Sequence, residues 1–210
     1  MKIPWQTSIW TGDIGKSYTD RNSHCLDAWE QMYIDKFGIT RTEMNSMFLG
    51  NLDRGIKILE VGCNLGNQLL ILQRMGFENL YGIEIQPYAV ELARKRTERI
   101  NIIRGNAFDI PFKDGFFDLV FTSGVLIHFP MIDLELIMDE IYRCSNKYIW
   151  GYEYYNQDFK EIMWRGIANM MWKTDYAKLY MEQFKLSLVR EEHFKYLTED
   201  NEDTMFLLSK

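Results

Sequence analysis

Glu60, Gly62 and Gly66 stand within residues 56–66, IKILEVGCNLG, and their types and spacing set up one kind of chemistry. Gly62 lets the backbone approach a ligand closely, because no side chain stands in the way. Gly66 permits close packing of a helix start or of the ligand itself. Glu60 ends an apolar run, and its charge is selective: a pyrophosphate beside it would be repelled, whereas an amine or a ribose hydroxyl would be held. A second acid, Glu84, follows the glycine turn by roughly 20 residues, the separation at which an acid in a nucleotide-binding βαβ unit meets two ribose hydroxyls. An ordinary exposed acid is the other reading of Glu84, and its place inside an apolar strand favours the ligand. Two further groups could move a proton. His128 falls just past a strand end, where it would act as a general base or serve a helix start. Glu153 lies among aromatics at the edge of the sheet where ligands bind, as an orienting carboxylate, a base or a loop acid.

These residues need strands and turns to bring them together. Ile56, Ile58, Leu59 and Val61 form a short run between Gly55 and Gly62, which reads as a strand buried on both faces. Leu69, Leu70, Leu72 and Met75 then recur at helical spacing, completing half of a βαβ unit. Residues 76–85, 101–105, 117–122 and 146–152 read as four more strands. Pro87 and Pro130 each suit the opening of a helix. Residues 156–183, rich in Met and aromatics, read as a longer helical region. Residues 186–189 and 204–208 read as an antiparallel hairpin around an acidic turn. Ahead of the first strand, residues 25–37 and 40–49 have helical spacing, the former with Asn22 or Ser23 as its cap. WTGDIGKSYTDRN before them reads as loop or frayed helix.

The chain has 210 residues, enough for one well-cored domain with a small appendage. Aromatics make up 15% and concentrate near both ends of the chain, which suggests aromatic-walled surfaces as well as a core. A formal net charge of −6 argues against a general nucleic-acid binder. The group Arg94, Lys95, Arg96 and Arg99 reads as a solvated helix face or a local basic patch. Cys25, Cys63 and Cys144 are scattered and odd in number, which fits reduced thiols in a cytoplasmic protein. Residues 1–10 lack the apolar segment of a leader, and no apolar run approaches the ~18 residues needed to cross a bilayer. Acids and histidines do not cluster at ligand spacing, so no metal is expected.

ILEVGCNLGN resembles motif I of the class I S-adenosylmethionine-dependent methyltransferases, an acid followed by G-x-G-x-G. Asn64 replaces the middle glycine, and Asn tolerates the left-handed conformation better than most residues. The resemblance implies an α/β fold: a doubly wound, Rossmann-like, seven-stranded sheet with an antiparallel C-terminal strand. Residues 1–50 would form a helical lid and residues 51–210 the cofactor-binding domain. The implied cofactor is S-adenosyl-L-methionine, with S-adenosyl-L-homocysteine as product. Its implied contacts are Glu60, Gly62, Cys63, Asn64 and Gly66, then Glu84 and Ile85, then Asn106, Ala107 and Phe108 beside the adenine, then Ser123 and Gly124. Asn106 stands where many relatives have Asp and can still meet the exocyclic amine through its carbonyl oxygen. Phe108 stacks on the purine or packs into the core. Tyr18 and Arg21 sit together in the polar N-terminal stretch, and Arg21 could pair with the cofactor's carboxylate or an anionic substrate. Tyr154, Tyr155, Arg165 and Trp172 are the candidates for binding the acceptor.

A narrower resemblance covers nearly the whole chain. EVGCNLGNQLLIL, AFDIPFKDGFFDLVFTSGVLIHF, EIYRCSNKYIWGYEYY and TMFLLSK are similar to the methylases associated with bacterial pseudaminic acid biosynthesis. That implies a sugar or nonulosonic acid-related small molecule as acceptor, methylated on O or N, in surface glycan biosynthesis. SGVLIHF lacks the Asn/Asp-Pro-Pro-aromatic of base-modifying enzymes, which argues against DNA. Three other readings stand: a nicotinamide-dependent oxidoreductase, which Asn64 and Glu60 fit poorly, a non-catalytic methyltransferase-like binding protein, and a methyltransferase of RNA or protein. Oligomeric state is not legible.

Overall fold

Side-chain alternation decides the layers. The computed structural model describes residues 5–210; residues 1–4, part of the stretch in which no leader is expected, lie outside it. The strands are Lys57–Val61 (β1), Asn79–Glu84 (β2), Asn101–Arg104 (β3), Phe117–Ser123 (β4), Ser145–Tyr154 (β5), Lys160–Trp164 (β6), Ile167–Lys173 (β7), Ser187–Lys195 (β8) and Glu202–Ser209 (β9). The helices are Trp5–Thr11 (α1), Asp13–Arg21 (α2), Leu26–Phe37 (α3), Arg41–Leu49 (α4), Asn67–Arg74 (α5), Pro87–Arg96 (α6), Met131–Cys144 (α7) and Tyr176–Phe184 (α8). Leu59, Val120, Ile149 and Leu208 share one face of the sheet with α7 and α8. Their chain neighbours Ile58, Leu119 or Phe121, Trp150 and Leu207 take the other face, with α4, α5 and α6. Period-two alternation thus divides a near-continuous apolar run between two cores.

The seven-stranded sheet runs β3-β2-β1-β4-β5-β9-β8. β9 is antiparallel to both neighbours, and the remaining pairings are parallel. This is the expected doubly wound α/β sheet with a reversed terminal strand. The order turns back between β1 and β4, so a crevice opens above their C-terminal ends, where ligands bind in such sheets. No helix among the described residues is long and apolar enough to cross a membrane.

The structure corrects several local expectations. Residues 156–183 are not one helical region: they form the β6–β7 hairpin followed by α8. Arg165 and Gly166 both have positive φ (50° and 81°), and Trp164 pairs with Ile167. That is the two-residue turn whose twist matches a hairpin. Met and aromatic residues satisfy either periodicity, so the turn dipeptide carried the deciding signal. Residues 5–21 form α1 and α2, so the helical alternative holds for the stretch that begins at Trp10; Gln86 fastens it from outside, its Nε2 donating to the carbonyls of Trp10 (2.9 Å) and Gly12 (3.0 Å). Neither Asn22 nor Ser23 caps α3; Cys25 holds that position, and Asn22 closes α2 by donating to the Tyr18 carbonyl. α4 carries a capping box formed by Thr40 and Glu43. The final hairpin is longer at both strands than its apolar runs suggest, because β8 continues past Val189 through charged residues at the sheet's edge.

Gly151 sits where β5 faces β9. A Cβ there would stand 2.1 Å from the Phe206 ring. Overpacking of this kind costs about 1–3 kcal/mol. Urea unfolding of Gly151→Ala should therefore show a lower midpoint, partly restored when Phe206→Leu is added. An unchanged midpoint in the single variant would show that this face has room.

Candidate active site

The turn leaving β1 alternates left-handed residues: Gly62 (φ 77°), Asn64 (φ 45°) and Gly66 (φ 74°). Asn64 accordingly adopts the conformation of the glycine it replaces. The N–H groups of Gly62 and Cys63 both donate to the Ile83 carbonyl, which ties the turn to β2. Glu84, at the tip of β2, accepts from the Asn64 N–H (2.9 Å) and the Gln86 N–H (2.8 Å). Burial raises its pKa against the pull of those donors.

Glu60 differs. It is buried, and its Oε2 has no hydrogen-bond partner. Burial holds the carboxyl well above the usual range, with Arg41 acting the other way. Arg41, wholly buried, comes from α4 and donates to Asn45 Oδ1 (3.0 Å), Tyr33 Oη (3.2 Å) and Ser123 Oγ (3.2 Å). Its guanidinium lies 3.9 Å from the centre of the Tyr152 ring. The cation is thus held by neutral groups and stacking.

These residues surround a cavity of about 380 Å³. Of the cofactor candidates, Tyr18, Glu60, Gly62, Cys63, Asn64, Glu84, Ile85, Asn106, Ala107, Phe108, Ser123 and Gly124 line it. Gly66 lies behind them as the N-cap of α5. Arg21 is exposed and donates to Ser17 Oγ, so the structure does not bring it to the cavity. Tyr154 lines the cavity, but the other acceptor candidates do not. Tyr155 packs against His193, Arg165 forms the hairpin turn, and Trp172 is buried parallel to Phe159.

The two proton-transfer candidates also part company. Glu153 is fully buried and outside the cavity wall. It accepts from the N–H groups of Val125 (3.2 Å) and Ile127 (3.4 Å), and burial pushes it up to about 7. It holds the loop after β4 rather than meeting a ligand. His128 closes the 3₁₀ turn of that loop, Leu126–His128, and lines the cavity. Its Nδ1 lies 3.0 Å from the Met170 carbonyl of β7. A carbonyl only accepts, so Nδ1 bears the proton and Nε2 keeps its lone pair. Burial lowers the imidazole to about 4, which leaves it neutral at pH 7.

Sequence reasoning missed much of the wall. Trp10 of α1 lies 4.5 Å from the His128 ring and 5.7 Å from Trp164 of β6, centre to centre. Gln86, Tyr33, Lys36, Tyr152 and Asp203 also line the cavity. Trp10 stands in the stretch that reads as loop or frayed helix, Asp203 in the acidic turn of the final hairpin, and Trp164 in the region that reads as helix.

The residues present fit S-adenosylmethionine. A buried carboxylate oxygen without a donor costs about 1–3 kcal/mol or more, and an amine or hydroxyl would relieve it. Glu84 keeps lone pairs beyond its two backbone donors, and Asn106 offers an amide in the wall.

Residues 59–147 match a family model described as a methyltransferase domain. The chain is 29% identical over 98 residues to a sterol 24-C-methyltransferase of Aspergillus fumigatus, covering 44% of this chain and 26% of that protein. It is 33% identical over 95 residues to 24-methylenesterol C-methyltransferase 2 of Arabidopsis thaliana, covering 42% and 26%. The matched part thus spans about a quarter of those relatives' length. Among solved structures, the fold is similar to a Burkholderia thailandensis 1,6-didemethyltoxoflavin-N1-methyltransferase with bound S-adenosylhomocysteine: TM-score 0.74, 12% identity, covering 100% of this chain and 91% of that one. It is also similar to a Synechocystis magnesium protoporphyrin IX methyltransferase with bound S-adenosylmethionine, with a TM-score of 0.69 and 13% identity over 97% and 94% of the two chains. Residues 59–147 thus match a methyltransferase domain, and the fold is the one seen in S-adenosylmethionine-dependent methyltransferases. Both of those solved structures hold S-adenosylmethionine or its demethylated product.

Glu60→Gln tests the role of the unpartnered oxygen. The folded pKa of Glu60 lies above its unfolded value, so between the two the folded state binds more protons. Ligand-free stability then falls as pH rises through that window. The variant should melt higher than wild type at pH 8 without ligand and lose that advantage toward pH 4. Its affinity for S-adenosylhomocysteine should fall roughly tenfold or more, as expected for a hydrogen bond to a charged group. Unchanged affinity in calorimetry would remove Glu60 from the site.

Proposed function

We propose that the whole chain is an enzyme that moves a methyl group from S-adenosylmethionine to an oxygen or nitrogen of a polar small molecule. The acceptor in this reading is a sugar or a nonulosonic acid-related metabolite of bacterial surface glycan biosynthesis, handled in the cytoplasm. The observation that carries the reading is that one cavity holds both the unpartnered Glu60 oxygen and a neutral imidazole with a lone pair to offer. The sequence likeness to pseudaminic acid-associated methylases supports the glycan side.

When bound, the cofactor supplies a methyl group already activated on a sulfonium. Placement is then the main task of the protein. Tyr18, Asn64, Glu60, Glu84 and Asn106 hold the cofactor, and α1–α3 close over it as a lid. Gln86 fastens that lid through the Trp10 and Gly12 carbonyls. Trp10 and Trp164 exclude water around His128. His128 Nε2 takes the proton that a hydroxyl or ammonium acceptor must lose. Glu153 positions His128 through the loop N–H groups. The formal net charge of −6 and the concave, aromatic-lined cavity favour a small molecule over RNA or protein.

Calorimetric titration with S-adenosylmethionine, S-adenosylhomocysteine and NAD tests the cofactor; screening of sugar acids and their precursors for methyl transfer tests the activity. His128→Ala should cut kcat by roughly 10²–10⁴ with the affinity for S-adenosylhomocysteine intact, the range for loss of a general base. Since the imidazole titrates near 4, wild-type kcat/KM should be flat from pH 6 to 8 and fall only below about pH 5. Full activity in His128→Ala would assign it a structural role.

A further inference from the structure

The cavity has a second polar end. Lys36 of α3 is the one lysine or arginine in its wall among the described residues. Its partner is Asp203, directly opposite Tyr154 in the β5–β9 register. Asp203 is 1% exposed at its side chain, Lys36 33%. Three donors converge on the acid: Tyr152 Oη at 2.5 Å, Tyr196 Oη at 2.8 Å and Lys36 Nζ at 3.2 Å. The short contact belongs to a tyrosine. The ammonium contact exceeds the ~2.7–2.9 Å of a tight charge-assisted bond. Asp203 therefore anchors two hydroxyls and holds Lys36 only loosely. Both groups line the cavity, and the lysine is much the more exposed of the two.

This end is well separated from Glu60 and Glu84, although Tyr18 reaches toward Tyr154. β9 lies three strand spacings from β1, roughly 14 Å at ~4.8 Å per spacing. Glu60 and Glu84 occupy the β1–β2 side. The rings of Tyr196, Tyr154 and Phe37 lie 3.8, 5.3 and 4.9 Å from Lys36 Nζ, so the cation stands in an apolar frame. Burial there lowers the lysine's pKa despite Asp203, and a further anion would restore it. In the wall a dianionic phosphate would meet one loosely held cation and a nearby acid, with Lys173 Nζ outside the wall 5.6 Å from the Tyr154 ring. A monoanionic carboxylate matches it better.

Resting on the methyltransferase reading, we propose that the Lys36–Asp203–Tyr154 end of the cavity is the acceptor subsite and that it takes the carboxylate of an acidic acceptor. Lys36 pairs with that carboxylate, Asp203 orients Lys36 from behind, and Tyr154 packs against the acceptor's carbon frame. The methylated atom is then a different group of the same molecule.

The purified full chain would be incubated with methyl-tritiated S-adenosylmethionine and a small-molecule extract of its source cells. The products would pass over an anion exchanger at pH 8, untreated, after phosphatase, and after carbodiimide coupling of carboxylates to methylamine. The expected result is label that binds the exchanger, resists phosphatase and is released by amidation. Label in the unbound fraction, or label released by phosphatase, overturns the proposal and leaves the methyltransferase reading standing. No label in any fraction removes that reading, and the proposal falls with it. With the isolated acceptor, Lys36→Met should raise its KM about 10- to 100-fold, the loss expected for a charged hydrogen bond. S-adenosylhomocysteine affinity should be unchanged, which also reports a folded variant, and Lys36→Arg should recover most of the loss. An unchanged KM in Lys36→Met overturns the proposal.

Discussion

Buried carboxylates need donors, and the supply of donors at the sheet's C-terminal edge decides the form of this site. Three acids end or nearly end strands there: Glu60, Glu84 and Glu153. Glu84 gathers the N–H groups of Asn64 and Gln86, so it fixes the turns after β1 and β2 relative to each other. Glu153 gathers those of Val125 and Ile127, so it fixes the loop after β4. Each exchange satisfies orphan backbone donors and gives a buried carboxyl its partners at once. Glu60 has no such loop to hold, and its Oε2 is left without a donor. The same residue type at three neighbouring strand tips thus performs scaffolding twice and leaves an unsatisfied wall once.

The N-terminal helices depend on that arrangement as much as they cover it. α1 and α2 are short, and short helices are marginal alone. Their hold comes from tertiary bonds: Gln86 to the Trp10 and Gly12 carbonyls, Tyr88 to Asp20, and Arg96 to the His24 carbonyl. All three partners belong to α6 or its cap, immediately after Glu84. Arg41 reaches further in and joins α4 to Ser123 at the end of β4. This deeply buried side chain stacks on Tyr152 and donates to neutral acceptors, and it acts on Glu60 through space.

The parts legible in sequence were those written in local code. Apolar runs ending at glycines gave the parallel strands, and the glycine turn with its two acids gave the side of the cavity lined by Glu60 and Glu84. Residues 156–183 were misread because Met and aromatic residues fit either period, and the only short-range sign of a hairpin was Arg165-Gly166. Trp164 and the Met170 carbonyl, both beside His128, were hidden with it. Lys36 and Asp203 are separated by 167 positions, and nothing local in either segment marks them as partners. Glu153 was read correctly as lying at the ligand edge of the sheet. Its side chain turns to the backbone of the next loop, a choice that depends on where unpaired N–H groups fall in three dimensions.

The cavity that results has two different polar ends. Glu60 and Glu84 stand on its β1–β2 side, the Lys36–Asp203 pair on its β5–β9 side, and aromatic rings line the space between. Partly buried groups of this kind are screened less by salt and water than surface charges are. His128 stands between the two ends and is kept neutral by burial. Were it protonated, it would add a second cation to the wall and blunt the difference between the ends. Its contact to the Met170 carbonyl fixes the tautomer with Nε2 unprotonated. The neutrality of the histidine therefore follows from its burial beside the aromatic rings of Trp10 and Trp164, which two distant parts of the chain bring together.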